Sequence, residues 1–329
     1  MNAATESRNL PATPHPTHKF KLLLKRELWE HRGGFFWAPV IVGAIAIVFA
    51  LIAAVAGTVL GPGLNDVRID GHEIDEVARI TGAIGDGTLL GGIGLAMIVL
   101  TFVVFFYALG SLYDDRRDRS ILFWKSLPIS DSQMVLSKVA WALLLAPLLA
   151  VVIGIATGLA LWVITALTTS INGLPGSAGI FLNSHPFRVI GNVLAMWPVQ
   201  MAWALPTIGW LMLCSAWARS KPFLWAVIVP VLTCALVSFM DIFPGVSIRH
   251  DVLWYVVAYR GLMSLIPGSF APILDVSARG IDGPGDVANV IDATASWQAF
   301  ATIDMWIGVA IGAAMIYAAI RLRRWREEG

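Results

Sequence analysis

The sequence predicts an all-α, polytopic membrane protein with six transmembrane helices and both termini in the cytoplasm. Three observations predict this class: a high apolar content, long windows without charge, and an uneven distribution of Lys and Arg. Of the 329 residues, 57% are hydrophobic and 14% are charged, and the mean hydropathy is +0.73. Soluble domains carry about 25% charged residues. A soluble core could not bury this much apolar surface, so we expect a lipid bilayer around the chain.

Charge-poor windows define the expected spans. An ionised side chain at the centre of a bilayer costs about 2.5 to 3.5 kcal/mol even on the mildest insertion scale. A helix needs about 20 apolar residues to cross a hydrocarbon core of roughly 30 Å. Windows of this length without Asp, Glu, Lys or Arg, together with one that follows Asp304, place the spans near 36–60, 88–112, 139–166, 191–216, 223–243 and 300–320.

Lys and Arg set the expected orientation, because positive residues near span ends stay in the cytoplasm. With both termini inside, 17 of the 23 Lys and Arg residues lie in cytoplasmic segments and six lie outside. The opposite orientation would invert this ratio. The net charge of +1 conceals the asymmetry and indicates no nucleic-acid partner. We expect a multi-pass membrane protein.

The N-terminal region divides into two parts. Residues 1–17 contain three prolines among small polar residues and predict a disordered tail. Apolar residues at helical spacing, such as Phe20, Leu23 and Leu28, predict an amphipathic surface helix over 18–34. A plain extension of the first span is the alternative, although Gly33-Gly34 favours a bend. The rest divides into a single transmembrane domain, 35–322, and a cytoplasmic tail, 323–329.

Two long segments are expected outside the membrane. Residues 61–87 form an acidic loop in which His72 and Glu76 lack the second His that a zincin motif needs, so we expect no metal there. Residues 244–299 include an apolar stretch that Arg260 interrupts before it reaches spanning length. We expect this segment to contain a re-entrant or interfacial helix before the last span.

The segment 113–138, between the second and third spans, combines a dense charge cluster, a short apolar piece at 121–124 and a proline break at Pro128. Ser130 and Gln133 have the spacing of a capping box, which predicts a new helix start. A solvated loop that obeys the positive-inside rule explains the arginines but not the apolar residues. Exposed apolar residues surrounded by charge more often mark a partner surface.

This pattern resembles the ABC type-2 exporter permeases. In that family the loop after the second span carries an acidic residue, a basic cluster, an apolar piece, then Ser-Leu-Pro-Ile/Val-Ser and a Lys. The matching positions are Asp115, Arg116, Arg117, residues 126–130 and Lys138. The resemblance covers most of the chain, including the surface helix, the six spans and the external helix. One departure is that Asp115 and Asp118 stand where the family often has Glu.

The resemblance implies that the loop forms a coupling helix, which docks in a groove of a separate ATPase subunit. The implied coupling residues are Asp115, Arg116, Arg117, Phe123, Trp124, Pro128, Ser130 and Lys138. The chain has no Gly-x-x-x-x-Gly-Lys-Ser/Thr loop of its own, so it is not expected to be an enzyme or to bind a cofactor. ATP-Mg would bind to the partner subunits. The resemblance also implies a second permease copy or homologue, and outward movement of a hydrophobic or amphipathic substrate.

Two other classes of protein remain as alternatives. An ATP-independent secondary transporter or channel needs coupling groups near mid-membrane, and the expected spans contain only Asp241 and Asp304, near their outer ends. Broken helices could offer backbone carbonyls instead. An intramembrane hydrolase needs a nucleophile paired with a base or a metal, and none of the six His residues falls in an expected span.

Four polar or aromatic residues within the spans are candidates for a translocation path: Tyr107, Gln200, Trp203 and Trp210. Packing between helices is the alternative role for each of them. Cys214 and Cys234 fall at different depths of neighbouring spans, and a disulfide requires Cα atoms within about 7 Å. We therefore expect both cysteines to be buried free thiols.

Overall fold

A computed structural model describes residues 16–60, 71–118, 130–173, 177–240, 249–274 and 293–328. This part of the chain is helical and contains no β-strand. The α-helices are α1 (Pro16–Glu30), α2 (Ala38–Leu60), α3 (Gly71–Arg117), α4 (Asp131–Ala140), α5 (Ala146–Ile171), α6 (Gly179–Asn183), α7 (Pro186–Trp217), α8 (Val229–Phe239), α9 (His250–Trp254), α10 (Ala293–Trp297) and α11 (Ile303–Glu328). Wider π-helical turns precede α2, α5 and α8 and follow α9, at Gly33–Trp37, Trp141–Leu145, Leu224–Ile228 and Tyr255–Met263.

Five of the described helices are long and apolar enough to cross a membrane: Gly33–Val59, Glu76–Arg117, Asp131–Ile171, Pro186–Trp217 and Ile303–Trp325. The expected fifth span, 223–243, contains a shorter apolar helix, Leu224–Phe239, and residues 241–248 lie outside the described part. The prediction of an all-α, multi-pass membrane protein is therefore confirmed with five candidate spans among the described residues, and the sixth span stays a prediction.

Helix α3 begins far earlier than the expected second span. The expectation of a loop over 61–87 is wrong from Gly71 onward, because those residues are helical. The cause is that a helix satisfies its own backbone hydrogen bonds and can continue beyond the apolar window. Asp86 lies within α3, and its carboxylate accepts a hydrogen bond of 2.7 Å from the backbone N–H of His185. In the segment considered for a metal site, the side chains of His72 and Glu73 lie outside the description and Glu76 is exposed.

Glycines allow two pairs of long helices to approach closely. A Cβ on Gly92 of α3 would lie 2.4 Å from the Cα of Gly158 in α5, and a Cβ on Gly209 of α7 would lie 2.5 Å from the carbonyl oxygen of Gly312 in α11. Small residues at such crossings let helix backbones pack in lipid, where burial of apolar surface between helices gains little. These two contacts pair α3 with α5 and α7 with α11, and packing of α3 against α7 joins the pairs into one bundle.

Helix α1 packs against the bundle with its apolar face. Leu23 is buried, and the indole N–H of Trp141 donates to the carbonyl oxygen of Leu24 over 2.7 Å. Leu22 and Trp29, on the other side, are exposed. The chain then passes through a turn at His31 and the π-helical turn into α2. The amphipathic pattern therefore identified a helix, and its buried side contacts protein. The expected tail is outside the described residues up to position 15.

Candidate functional site

Four charged side chains form a buried group at one end of the bundle, which we call the ionic cluster: Glu27, Asp115, Lys138 and Arg323. The Nζ atom of Lys138 lies 3.1 Å from Oε1 of Glu27 and 3.5 Å from Oδ2 of Asp115. The same Asp115 oxygen lies 3.4 Å from Nη1 of Arg323. All four residues are at most 6% exposed. The cluster therefore alternates acid and base, and it carries two negative and two positive charges.

Each member of the ionic cluster comes from a different helix. Glu27 lies on α1, Asp115 near the end of α3, Lys138 on α4 and Arg323 near the end of α11. Residues 119–129, which join α3 to α4, lie outside the described part, and the cluster contains one residue from each side of them. Any force on that connection therefore acts on α3 and α4 at a point that is also tied to α1 and α11.

Aromatic residues enclose the Glu27 side of the cluster. The phenol of Tyr107 donates a hydrogen bond of 2.8 Å to Oε2 of Glu27. Its ring packs edge-on against His31 and Phe35, with centroids 4.7 and 4.9 Å away. Both carboxylate oxygens of Glu27 are thus engaged, one by Tyr107 and one by Lys138. A buried carboxylate needs this saturation, because its desolvation costs several kcal/mol.

Arg323 also fixes the start of α4. Its Nη2 atom lies 2.9 Å from the sulfur of Met134, and its Nε atom lies 3.7 Å from Oδ1 of Asp131. The start of α4 has a capping box as predicted: the Ser130 hydroxyl accepts from the backbone N–H of Gln133, and the Gln133 side chain accepts from the backbone N–H of Ser130. The helix that follows the connection therefore has a rigid first turn.

Arg116 and the next residue, Arg117, have different surroundings. Its Nη2 atom donates to the carbonyl oxygens of Ser215 and Ala218, over 2.5 and 3.0 Å. These carbonyls lie at the end of α7, where the last helical carbonyls lack partners within the helix. Arg116 thus caps α7 and ties it to α3, whereas Arg117 is exposed.

The predicted coupling residues fall into three sets. Asp115 and Lys138 meet in the ionic cluster. Arg116 caps α7, Ser130 caps α4, and Arg117 is exposed. Phe123, Trp124 and Pro128 lie outside the described residues.

Sequence reasoning missed Glu27 and Arg323. Glu27 follows buried Leu23 by four residues, so it interrupts the apolar face of α1 with a charge. Arg323 continues the buried spacing of Ile316 and Ala319. A charged residue in register with an apolar face was the available signal in both cases.

The four candidate path residues do not come together. Tyr107 donates to Glu27 of the ionic cluster, and the indole N–H of Trp210 donates to the carbonyl oxygen of Ala226. Trp203 is fully buried and donates to the hydroxyl of Ser269. Gln200 lines an apolar cavity between α3, α5 and α7. The first three have packing partners, and the path itself stays a prediction.

A second buried charge lies toward the other end of α11, in the segment expected to be external. Arg260 stacks on Trp203, with its guanidinium carbon 3.5 Å from the ring centroid. Its Nε atom lies 3.4 Å from Oδ2 of Asp304, and that oxygen accepts 2.9 Å from the phenol of Tyr255. Burial lowers the pKa of Arg260 while Asp304 raises it, and a guanidinium stays charged. Burial and the bond to Asp304 raise the pKa of Tyr255, so this phenol stays protonated.

No protein-family model, curated protein or solved structure matches the chain. Among the described residues, no group of three or more His, Cys, Asp or Glu side chains could hold a metal ion. Cys214 and Cys234 are buried and free, as expected from their depths. Function must therefore be argued from the geometry of this chain.

Proposed function

We propose that this chain is the membrane-spanning permease subunit of an ATP-binding-cassette exporter, driven by a separate cytoplasmic ATPase subunit. The observation that carries the proposal is the ionic cluster. Asp115 and Lys138, from either side of the connection 119–129, share a buried site with Glu27 and Arg323. A connection that only satisfied the positive-inside rule would need exposed arginines and no such site.

The cluster suggests how a partner would act on the bundle. A protein that pushes on residues 119–129 would move α3 and α4 together, since Asp115 of α3 is paired with Lys138 of α4. Arg116 would pass the motion to α7, and Arg323 would pass it to α11. The helices would then tilt as rigid bodies, which is a common mode of conformational switching.

The topology that we propose has six spans and both termini in the cytoplasm. Glu27 and Arg323, near the two ends of the chain, meet in one cluster, which supports placing both ends on one side. The short helix Leu224–Phe239 would form the fifth span, and the segment from α9 to the last helix would lie at the outer face. The protein would work in a bacterial inner membrane as a dimer with itself or a homologue.

The test of the proposal uses the chain co-expressed with the phosphate-loop ATPase encoded nearest to its gene. We expect the two proteins to co-purify and to hydrolyse ATP in liposomes. Replacing both Arg117 and Phe123 by Ala should lower ATPase activity in the complex or abolish co-purification, because both residues belong to the implied coupling segment. Arg117 is exposed, so its replacement should leave the packing of the bundle intact. Arg219→Ala is the matched control, since Arg219 is also exposed and lies after α7. Unchanged assembly and activity in the double variant would contradict the proposed coupling role.

Transport assays in the same liposomes distinguish an ATP-driven exporter from an ion-driven transporter. Asp304, the one described acid expected inside a span, is already paired with Arg260, so it is poorly placed to carry a coupling ion. We expect a proton or sodium gradient alone to drive no transport. Uptake driven by such a gradient, without ATP or the ATPase, would favour a secondary transporter.

A further inference from the structure

An apolar cavity of about 360 Å³ lies between α3, α5, α7 and the segment 265–274. Its volume is in the range of small-molecule sites, which are mostly apolar with a few polar groups. None of the residues that line it is Asp, Glu, Lys, Arg or His. A cavity with an apolar wall accepts apolar molecules in preference to water. The wall therefore excludes ions and favours an uncharged ligand.

The polar groups of the wall are almost all satisfied within the protein. Thr101 donates to the carbonyl oxygen of Met97. The Gln200 side chain donates to the carbonyl oxygens of Ser264 and Ile266 and accepts from the backbone N–H of Gly268. Gln200 thus fixes the turn that forms one side of the cavity, and its amide has no hydrogen left for a ligand.

Trp197 is the exception in this wall. Trp197 lines the cavity, and its indole N–H is buried with no acceptor among the described residues. An indole N–H can only donate, and a buried donor without a partner costs free energy. A small rotation of the indole toward the cavity would let the acceptor atom of a ligand remove that cost.

We propose that this cavity binds an uncharged, mostly apolar molecule that presents one hydrogen-bond acceptor, such as an ether, ester or ketone oxygen, to Trp197. Where the chain works as the proposed export subunit, this inference rests on that function and narrows the cargo to neutral molecules. Binding itself needs no ATPase, so it is measured on the purified chain, and its failure is distinguishable from a failure of coupling.

Two glycines of α3 provide a matched pair of variants. A Cβ on Gly94 would have no atom within 4 Å, and Gly94 lines the cavity, so Gly94→Leu places a side chain in the empty volume. A Cβ on Gly91 also has no atom within 4 Å, but Gly91 is exposed and does not line the cavity. Gly91→Leu makes the same change on the same helix and leaves the cavity open.

Photolabelling with benzophenone, a neutral ketone that inserts into nearby C–H bonds, measures occupancy in detergent. Met97, Met196 and Met201 line the cavity, while Met240 and Met263 are exposed and report non-specific partitioning. We expect saturable labelling at the three cavity methionines. Gly94→Leu should weaken this labelling by about tenfold or more, because the added side chain would occupy the volume that the ligand needs and crowding of this kind costs about 1 to 3 kcal/mol. Gly91→Leu should leave the labelling unchanged.

Two competitors of the same shape test the hydrogen bond. Dibenzyl ether carries an oxygen where 1,3-diphenylpropane carries a methylene group. The ether should compete about two- to tenfold better in the natural protein, as expected for one hydrogen bond, and should lose this advantage in Trp197→Phe. Mass spectrometry of the purified proteins then distinguishes the two natural sources of the ligand. A lipid that is retained by the natural protein and by Gly91→Leu but lost from Gly94→Leu would identify a membrane lipid, and the absence of such a lipid would identify a free compound.

Three results would overturn the proposal. Equal labelling of the cavity methionines in Gly94→Leu and the natural protein would show that the cavity is not the site. Competition by the anion 4-benzoylbenzoate as strong as that by dibenzyl ether would contradict a neutral site. Equal potency of the two isosteric competitors in the natural protein would remove the role of Trp197.

Discussion

The Nζ atom of Lys138 lies 3.1 Å from Oε1 of Glu27, and both side chains are only 2% exposed. This pair joins the N-terminal helix to the helix that follows the connection 119–129. The two residues are far apart in the sequence, and burial of either charge alone would cost several kcal/mol. The contact therefore fixes where α1 sits on the bundle.

Replacing Lys138 by Met should destabilise the protein strongly. The substitution keeps the length of the side chain but leaves Glu27 and Asp115 buried with less positive charge, which costs about 3 to 5 kcal/mol when a buried pair is broken. Thermal unfolding in detergent, followed by the loss of the monodisperse peak in size-exclusion chromatography, measures the effect. Lys25→Met is the control, because Lys25 lies exposed on α1.

Adding Glu27→Gln to Lys138→Met should recover part of that loss, since the second change removes one of the two uncompensated carboxylates. Such non-additivity is expected of residues in one charge network. Strictly additive losses in the double variant would mean that the two side chains do not interact.

Arg260→Met should loosen the segment that follows α9. The change removes the ion pair with Asp304 and the donation from Nη1 to the carbonyl oxygen of Trp203, 3.2 Å away. We expect a loss of about 3 kcal/mol, at the low end for a broken buried pair, because Asp304 is partly exposed. Hydrogen exchange of the amides at 255–264 should accelerate, whereas Asp251→Asn, at an exposed position of α9, should leave it unchanged. Unchanged exchange in Arg260→Met would contradict a structural role for this arginine.

A methyl group at Gly158 should disrupt the crossing of α3 and α5. Its Cβ would lie 2.4 Å from the carbonyl oxygen of Leu89, so one helix must shift, at a cost of about 1 to 3 kcal/mol. Gly91→Ala, which meets open space, should be neutral or stabilise by about 0.5 to 1 kcal/mol through helix propensity. Thermal unfolding of the two variants, compared under one detergent condition, gives the answer, and equal melting temperatures would mean that the helices are less closely packed at this point.

Ser130→Ala should weaken the first turn of α4 without unfolding the bundle. The lost acceptor for the backbone N–H of Gln133 should cost about 1 kcal/mol. Amide hydrogen exchange at 131–134 is the measurement, with Leu136→Ala as the control because Leu136 lies at an exposed position of the same helix and outside the capping box. Equal exchange in the two variants would show that the capping box contributes little.

The positions of the helices were largely predictable, and their ends were not. Charge-free windows located the long apolar helices because insertion depends on local composition, and the capping box at Ser130 located the start of α4 because its hydrogen bonds are local. The same windows failed at the start of α3, where the helix runs back to Gly71. A polar extension of a helix has no apolar signal, and contacts with other helices decide how far it continues.

The ionic cluster was predictable only in part. Asp115 and Lys138 were found from their motif, but nothing near them in the sequence indicates that Glu27 and Arg323 are their partners. The sequence by itself determined a multi-pass helical protein, the segment most suited to a partner, and the lack of a phosphate loop, since these follow from composition and from spacing within a few turns. The tertiary structure alone decided which charges are buried together, that Trp203 stacks on Arg260, and that a neutral cavity remains between α3 and α7. Those features arise between helices that are distant in the chain, where packing and charge pairing act over contacts that no local pattern records.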